Sequence, residues 1–339
     1  MAREGMELLY DLTKEAVLGL GDVLRKYFFF KSIFIKALRD VRSFKPDAII
    51  LIDYPGFNLR FAKKINKRYP IIYYISPQIW AWGGKRIHTI KQIINHMIVL
   101  FKFEAELYQK AGVPVTWVGH PLIDLLKPQK SRAELRVEWL PKATDETKVI
   151  ALLPGSRETE VKRILPEMLH VAKTIHARTP NAQFLLAESN TLPTNLYEKI
   201  LSEARLTYPI QSIRNRGFDI LHASDFAMVS SGTATLEAAL ASTPFVILYK
   251  TAWSTFFLGR KLIRIPYIGL VNVVAERKIV PEFIQHEILT ETIAQEAAYL
   301  LEHQDLREKM ILDLKMVQHK LGEPGASLRA AEAVLKILK

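Results

Sequence analysis

Eight short apolar runs, set between helix-like stretches, restrict this chain more than any other feature. DAIILID (47–53), IIYYIS (71–76), HMIVLF (96–101) and VTWVGH (115–120) occupy its first half. KVIALLPGS (148–156), AQFLLAES (182–189), DFAMVSSG (225–232) and PFVILYK (244–250) occupy its second. Unbroken runs of this length, rich in Ile, Val and Leu, suit parallel strands covered on both faces. The stretches between them, 157–178 and 286–303 among them, read as helices. Strand and helix in alternation imply right-handed βαβ units, hence an α/β fold with doubly wound sheets. At 339 residues the chain is long enough for two such domains. The charged segment KPQKSRAELRVEWLPKATDETK (127–148) has no long apolar run and reads as the connection, with room for a short helix. The expected division is a first domain over 1–126, a linker over 127–147, a second domain over 148–318 and a closing helix over 319–339 placed to pack back on the first domain.

Charge narrows the classes of partner. With 47 Lys and Arg against 35 Asp and Glu, the chain carries a formal +12. Such a surface attracts phosphate, whether in nucleic acid, anionic lipid or a nucleotide. There is no cysteine, which excludes a disulfide framework and a thiolate metal site. No apolar run reaches the roughly 18 residues that a membrane span needs.

In open α/β sheets ligands sit beyond the carboxyl ends of the strands, so the residues after each run carry the information. Five such loops are rich in Gly, Pro, Ser, His, Arg and carboxylates: DYPGFN (53–58), SPQIWAW (76–82), GHPLID (119–124), PGSRETE (154–160) and SSGTATLE (230–237). In the last, Ser231 and Thr233 flank Gly232 at the start of a helix, with Glu237 one turn further in. Unpaired helix-start N–H groups and two hydroxyls suit an anion, while a plain N-cap uses the same residues. Arg157 falls at the start of another helix, where a bound phosphate would offset the unfavourable dipole; the alternative is an arginine facing solvent. Neither GxxxxGK[ST] nor GxGxxG is present, so a nucleotide would be held in another manner. Asp53 ends IILID, where it serves either as a general base or as a turn residue of DYPG. His120 ends VTWVGH in the same topological position, as a proton carrier or phosphate donor or as a structural histidine. Trp80 and Trp82, after Ser76, are either packing residues or contacts to an acyl chain or membrane. RKYFFFKSIFIKALRDVR (25–42) interleaves cations with more Phe and Ile than one core stripe needs. It reads either as an interfacial helix or as a buried helix with a basic outer face.

IDYPGFN, YYISPQIWAW, VGHPL, LLPGSRETEV, ASDFAMVSSGTATLEA and YIGLVNVVAERKIVPEFIQ follow one another in an order that resembles the lipid-A-disaccharide synthases over nearly the whole chain. The resemblance implies two Rossmann-like domains of the glycosyltransferase B type, with the active site in the cleft between them. It implies an inverting hexosyltransferase joining UDP-2,3-diacylglucosamine to 2,3-diacylglucosamine 1-phosphate through a β(1→6) linkage, with release of UDP and no metal or cofactor. By position, Asp53 matches the base for the acceptor hydroxyl, Arg157 a nucleotide-site arginine, and Ser231, Gly232 and Thr233 the diphosphate loop. Glu237 matches the residue for the ribose hydroxyls, and Asn272 and Gln285 match further donor-site positions. Ser76, Trp80, Trp82 and His120 are further candidates for lining the substrate cleft. The implied setting is the cytoplasmic face of the inner membrane, peripherally bound to anionic lipid, with no nucleic-acid partner; a homodimer is compatible with this reading. The family's opening strand, Gly/Ser-rich loop and helix find no match, so the first domain is expected to be incomplete, as in an N-terminally shortened form. Other readings are an inactive remnant that binds UDP or membrane, and a different UDP-GlcNAc-type transferase of the same fold.

Overall fold

The computed structural model describes residues 5–10, 20–65, 68–253, 256 and 265–338, and for 20–27 the backbone alone. All eight apolar runs form strands, in two parallel sheets. The first holds β1 (Ile49–Ile52), β2 (Ile71–Tyr74), β3 (His96–Val99) and β4 (Val115–Trp117), in that spatial order. The second holds β5 (Val149–Leu153), β6 (Gln183–Glu188), β7 (Ile210–Arg214), β8 (Phe226–Ser230), β9 (Phe245–Tyr249) and β10 (Glu282–Ile284). Its order is β7-β6-β5-β8-β9-β10. That order reverses direction between β5 and β8, which pair in parallel register with Ile150 opposite Phe226. The crevice beyond this reversal is where doubly wound sheets bind ligands.

Burial explains which strands the sequence displays. Every residue of β5 and β8 is buried, so both read as continuous apolar runs. The two strands without a matching run, β7 and β10, lie at the sheet's edges, and neither is buried along its length. The helix Glu158–Arg178 lays Val161, Leu165, Met168 and Ala172 on the sheet, a stripe at helical spacing.

The charged connection is built into the second domain. It contains the helix Arg132–Trp139, which packs on the helix Gly217–Ala223. Arg136 donates to the Ala223 carbonyl at 2.8 Å and, with Arg132, pairs with Asp225. Asp225 in turn accepts the Val149 N–H at the start of β5. The closing helix, Ala326–Leu338, returns to the first sheet and packs near β3. Asp124 accepts the N–H groups of Gly325 and Ala326, and Arg329 donates to the Val118 carbonyl. Gly119 and Gly322, both at positive φ, let the outgoing and returning segments touch: a Cβ on Gly322 would lie 3.1 Å from the Gly119 Cα.

Among the described residues the first sheet has four strands in monotonic order and no reversal of its own. Among the described residues nothing pairs with the outer side of β1, where Ile50 is half exposed. The Asn58 amide covers one outward carbonyl there, that of Ile52, at 3.1 Å.

Candidate functional site

A cavity of about 590 Å³ opens over the reversal point of the second sheet. That lies within the roughly 300–1,000 Å³ of small-molecule sites. Its floor comes from the ends of β5 and β8: Gly155, Ser156 and Arg157 after the first, Ser231, Gly232 and Thr233 after the second. Arg216 and Phe218 close one side, and Leu125 to Lys127, leaving β4 toward the second domain, close another.

The turn after β5 is sterically fixed. Gly155 has φ 115°, and a Cβ there would lie 2.6 Å from the Glu160 carboxylate. Arg157 takes the cap position of the helix Glu158–Arg178 with extended backbone, one residue earlier than a first-turn placement. Its guanidinium is exposed and leans on Glu160 at 3.0 Å, free to turn toward a ligand.

After β8, Gly232 has φ 147° with nothing within 4 Å of a Cβ position. The N–H groups of Gly232, Thr233 and Ala234 find no acceptor among the described residues. The Ser231 hydroxyl donates to the Ile268 carbonyl at 3.1 Å, so its proton is spent within the protein. One turn on, Glu237 lines the cavity, and its carboxylate makes no hydrogen bond among the described residues. Desolvation raises its pKa from the ordinary glutamate value. An acceptor left unpaired in this way favours a ligand that brings hydroxyl donors.

Arg216 was not singled out in the sequence. Its guanidinium lies over the Trp139 ring at 4.8 Å and donates to Asp219 and Glu138, while Nη2 is buried and has no partner among the described residues. A lone arginine after an amphipathic edge strand carries no pattern that could have marked it.

Asn272 and Gln285 stand apart from the cavity lining. Asn272 is fully buried; its amide donates to Val280 and Glu282 and accepts the N–H groups of Ile279 and Val280. Gln285 pairs both ways with the Thr251 backbone. Both amides are committed to holding chain segments together.

Asp53, Ser76, Trp80, Trp82 and His120 lie on the first domain and its exit, outside the cavity lining. Asp53 follows β1 with its side chain exposed, and both it and Tyr54 hold positive φ, 46° and 44°. Two consecutive non-glycine residues in that region store strain, a feature that clusters at functional sites. Ser76 is buried, bonded to Tyr108 at 3.0 Å. The Trp80 indole donates to Glu104 at 3.0 Å, whereas Trp82 stacks under Arg86. Glu104 is a buried acid whose pKa desolvation pushes up to about 7, opposed by its bonds to Trp80 and the Phe101 N–H. It was not singled out in the sequence. His120 is buried against Phe101, and desolvation lowers its pKa to about 4. Its Nδ1 accepts the Leu122 N–H, which leaves the proton of the neutral ring on Nε2. Among the described residues no cluster of three His, Asp or Glu side chains is arranged to hold a metal.

A reversed parallel sheet with a polar cavity at its reversal, joined to a second parallel sheet by a crossover and a returning helix, is a fold of two Rossmann-like domains of the glycosyltransferase B type. Solved structures agree. The UDP-GlcNAc 2-epimerase of Neisseria meningitidis, bound to UDP-GlcNAc, superposes with a TM-score of 0.60 at 15% identity, over 91% of this chain and 81% of that one. The calicheamicin glycosyltransferase does so with 0.54 at 14%, over 96% and 83%. The sequence is more specific: residues 1–337 match the Lipid-A-disaccharide synthetase family. The lipid-A-disaccharide synthase of Syntrophus aciditrophicus (strain SB) is 40% identical over 337 residues, 99% of this chain and 87% of that protein. The chain belongs to the lipid-A-disaccharide synthetase family, which places it among the glycosyltransferases of lipid A biosynthesis.

Proposed function

We propose that the chain condenses UDP-2,3-diacylglucosamine with 2,3-diacylglucosamine 1-phosphate, giving the β(1→6)-linked disaccharide 1-phosphate and UDP. The observation that carries this reading is the Glu237 carboxylate, unpartnered among the described residues, in one cavity with Arg157 and with the N–H groups of Gly232, Thr233 and Ala234, which likewise find no acceptor there. The two ribose hydroxyls would satisfy Glu237, and the diphosphate would satisfy the N–H groups and draw in Arg157.

In the transfer step the acceptor's 6-hydroxyl oxygen attacks the anomeric carbon as the bond to the UDP oxygen breaks. Attack opposite the leaving group inverts that carbon. Asp53 takes the hydroxyl proton, and UDP leaves with the bonding electron pair. Charge developing on its diphosphate is stabilised by fixed N–H dipoles and by Arg157, the role that preorganised donors perform in group transfer. Neither a metal nor a cofactor has a part in this scheme. Asn272 and Gln285 act in it through the backbone they hold, and Ser76, Trp80 and His120 shape the acceptor side.

Peripheral attachment to anionic lipid at the cytoplasmic face of the inner membrane fits substrates that carry acyl chains. The helix Leu20–Phe44 turns Phe34 inward onto Phe57 and Phe61, while Phe28, Ile35 and Phe44 stay exposed among Lys31, Lys36, Arg39 and Arg42. That is the make-up of a surface-lying helix. Among the described residues no helix is long and apolar enough to cross a membrane. Incubation of the chain with both sugars tests the reaction: a disaccharide 1-phosphate and equimolar UDP are expected, and UDP release that does not depend on the acceptor would contradict it.

A further inference from the structure

Glu282 lies outside the cavity yet holds the turn on which the Ser231–Thr233 loop rests. Its Oε2 accepts the Ile268 N–H at 2.9 Å. Its Oε1 accepts the Gly269 N–H and the Asn272 amide, each at 2.9 Å. The turn fixed in this way grips the loop at two points. The Ile268 carbonyl accepts the Ser231 hydroxyl, and the Val271 N–H reaches the Thr235 hydroxyl at 3.4 Å, which itself donates to the Gly232 carbonyl at 2.8 Å. Space is tight enough that Gly269 admits no side chain: a Cβ would lie 2.3 Å from the Ile247 Cδ1 and 3.2 Å from the Glu282 carboxylate.

We infer that Glu282 is a positioning residue for the diphosphate subsite, setting the place of the Ser231–Thr233 loop without touching the ligand. The inference rests on reading the cavity as the UDP site. Three donors converge on Glu282, so the position calls for a group that only accepts; a glutamine would turn an N–H₂ toward them. Because the Ser231 proton is already used, the loop's donors to phosphate are the backbone N–H groups of Gly232, Thr233 and Ala234 and the Thr233 hydroxyl. Backbone donors point wherever the loop is held, and Glu282 holds it. Such outer support is what keeps a binding constellation in its productive geometry.

Calorimetry on the full chain, with UDP and uridine as probes, tests this in Glu282→Ala, Glu282→Gln and Thr235→Val, with Arg157→Ala marking the cavity itself. Displacing the loop's donors from the diphosphate is expected to lower UDP affinity by about 10- to 150-fold in Glu282→Ala, the worth of one hydrogen bond to a charged group. Glu282→Gln and Thr235→Val should lose less. Uridine, which lacks the diphosphate, should bind all three as it binds the parent. If Glu282→Ala does not fold, the two milder variants decide by the same comparison. Unchanged UDP affinity in folded Glu282 variants, while Arg157→Ala loses it, overturns the role of Glu282. Equal losses for UDP and uridine overturn it too, because they report general damage. Unchanged affinity in Arg157→Ala as well would instead overturn the cavity reading.

Discussion

The phenol of Tyr73, buried in β2, donates to the backbone carbonyl of Asp53 at 2.5 Å. The Asn58 amide reaches the same oxygen at 2.7 Å. Two donors thus pin the peptide after Asp53, where that residue and Tyr54 both hold left-handed backbone. Burial and the nearby Asp53 carboxylate raise the Tyr73 pKa, so the phenol keeps its proton and stays a donor. Among the described residues the carboxylate itself has no hydrogen-bond partner and is exposed, which leaves its oxygens open to an incoming hydroxyl.

Asp53→Asn should therefore lower turnover by roughly 10²–10⁴-fold, the usual effect of losing a positioned base. Asparagine tolerates left-handed backbone, so the turn should survive the change. UDP affinity, which depends on the other domain, should stay at the parent value. Steady-state kinetics with parallel calorimetry checks both, and near-normal turnover would remove Asp53 from the chemistry.

Two buried groups give opposite pH dependences that the parent protein partly hides. Glu104 has its pKa raised from 4.5 to about 7, so between those values the native state holds a proton that the unfolded state has lost. Its contribution to stability falls as pH rises through that window. His120 has its pKa lowered from 6.5 to about 4, so there the unfolded state binds the extra proton, and stability falls as pH drops from 6.5 toward 4. Thermal unfolding from pH 4 to 8 should show Glu104→Gln gaining stability relative to the parent as pH rises. His120→Gln should gain relative to the parent as pH falls. Parallel curves for the parent and both variants would disprove the assignment.

Membrane attachment should be electrostatic as well as apolar. Flotation with vesicles containing anionic lipid should carry the chain upward, and binding should weaken with added salt, since exposed charges are screened within about 10 Å at 0.1 M. Binding that ignores salt, or that is equal on neutral vesicles, would show that Lys31, Lys36, Arg39 and Arg42 take no part.

Much of this was legible in the sequence because it depends on burial. Strands such as β5 and β8, covered on both faces, must be apolar throughout, and the loops that follow them were found by position alone. The edge strands β7 and β10 escaped because edges need no continuous apolar run. Arg157, Gly232 and Glu237 were legible as residues that follow a strand; Glu104, Arg216 and Glu282 were not, since each matters through a partner distant in the chain. Glu104 meets Trp80 and Arg216 covers Trp139, while Glu282 meets the Ile268 turn. Asn272 and Gln285 show the reverse: their motifs are distinctive, yet their amides are consumed within the protein, by backbone and, for Asn272, by the Glu282 carboxylate as well. The connection over 127–147 was legible with room for its short helix, but its docking was not, because Arg132 and Arg136 dock through charge, on Asp225, where pattern reading looks for apolar faces.

The central claim is that the cavity beyond β5 and β8 holds UDP, and calorimetric titration of UDP into the parent, Arg157→Ala and Glu237→Ala tests it most directly. A charge-assisted hydrogen bond lost from such a site is worth roughly 1.5–3 kcal/mol, about 10- to 150-fold in affinity. One binding site in the parent, weakened by that amount in each variant, is the predicted result. No binding to the parent, or the same affinity in all three proteins, would contradict the account.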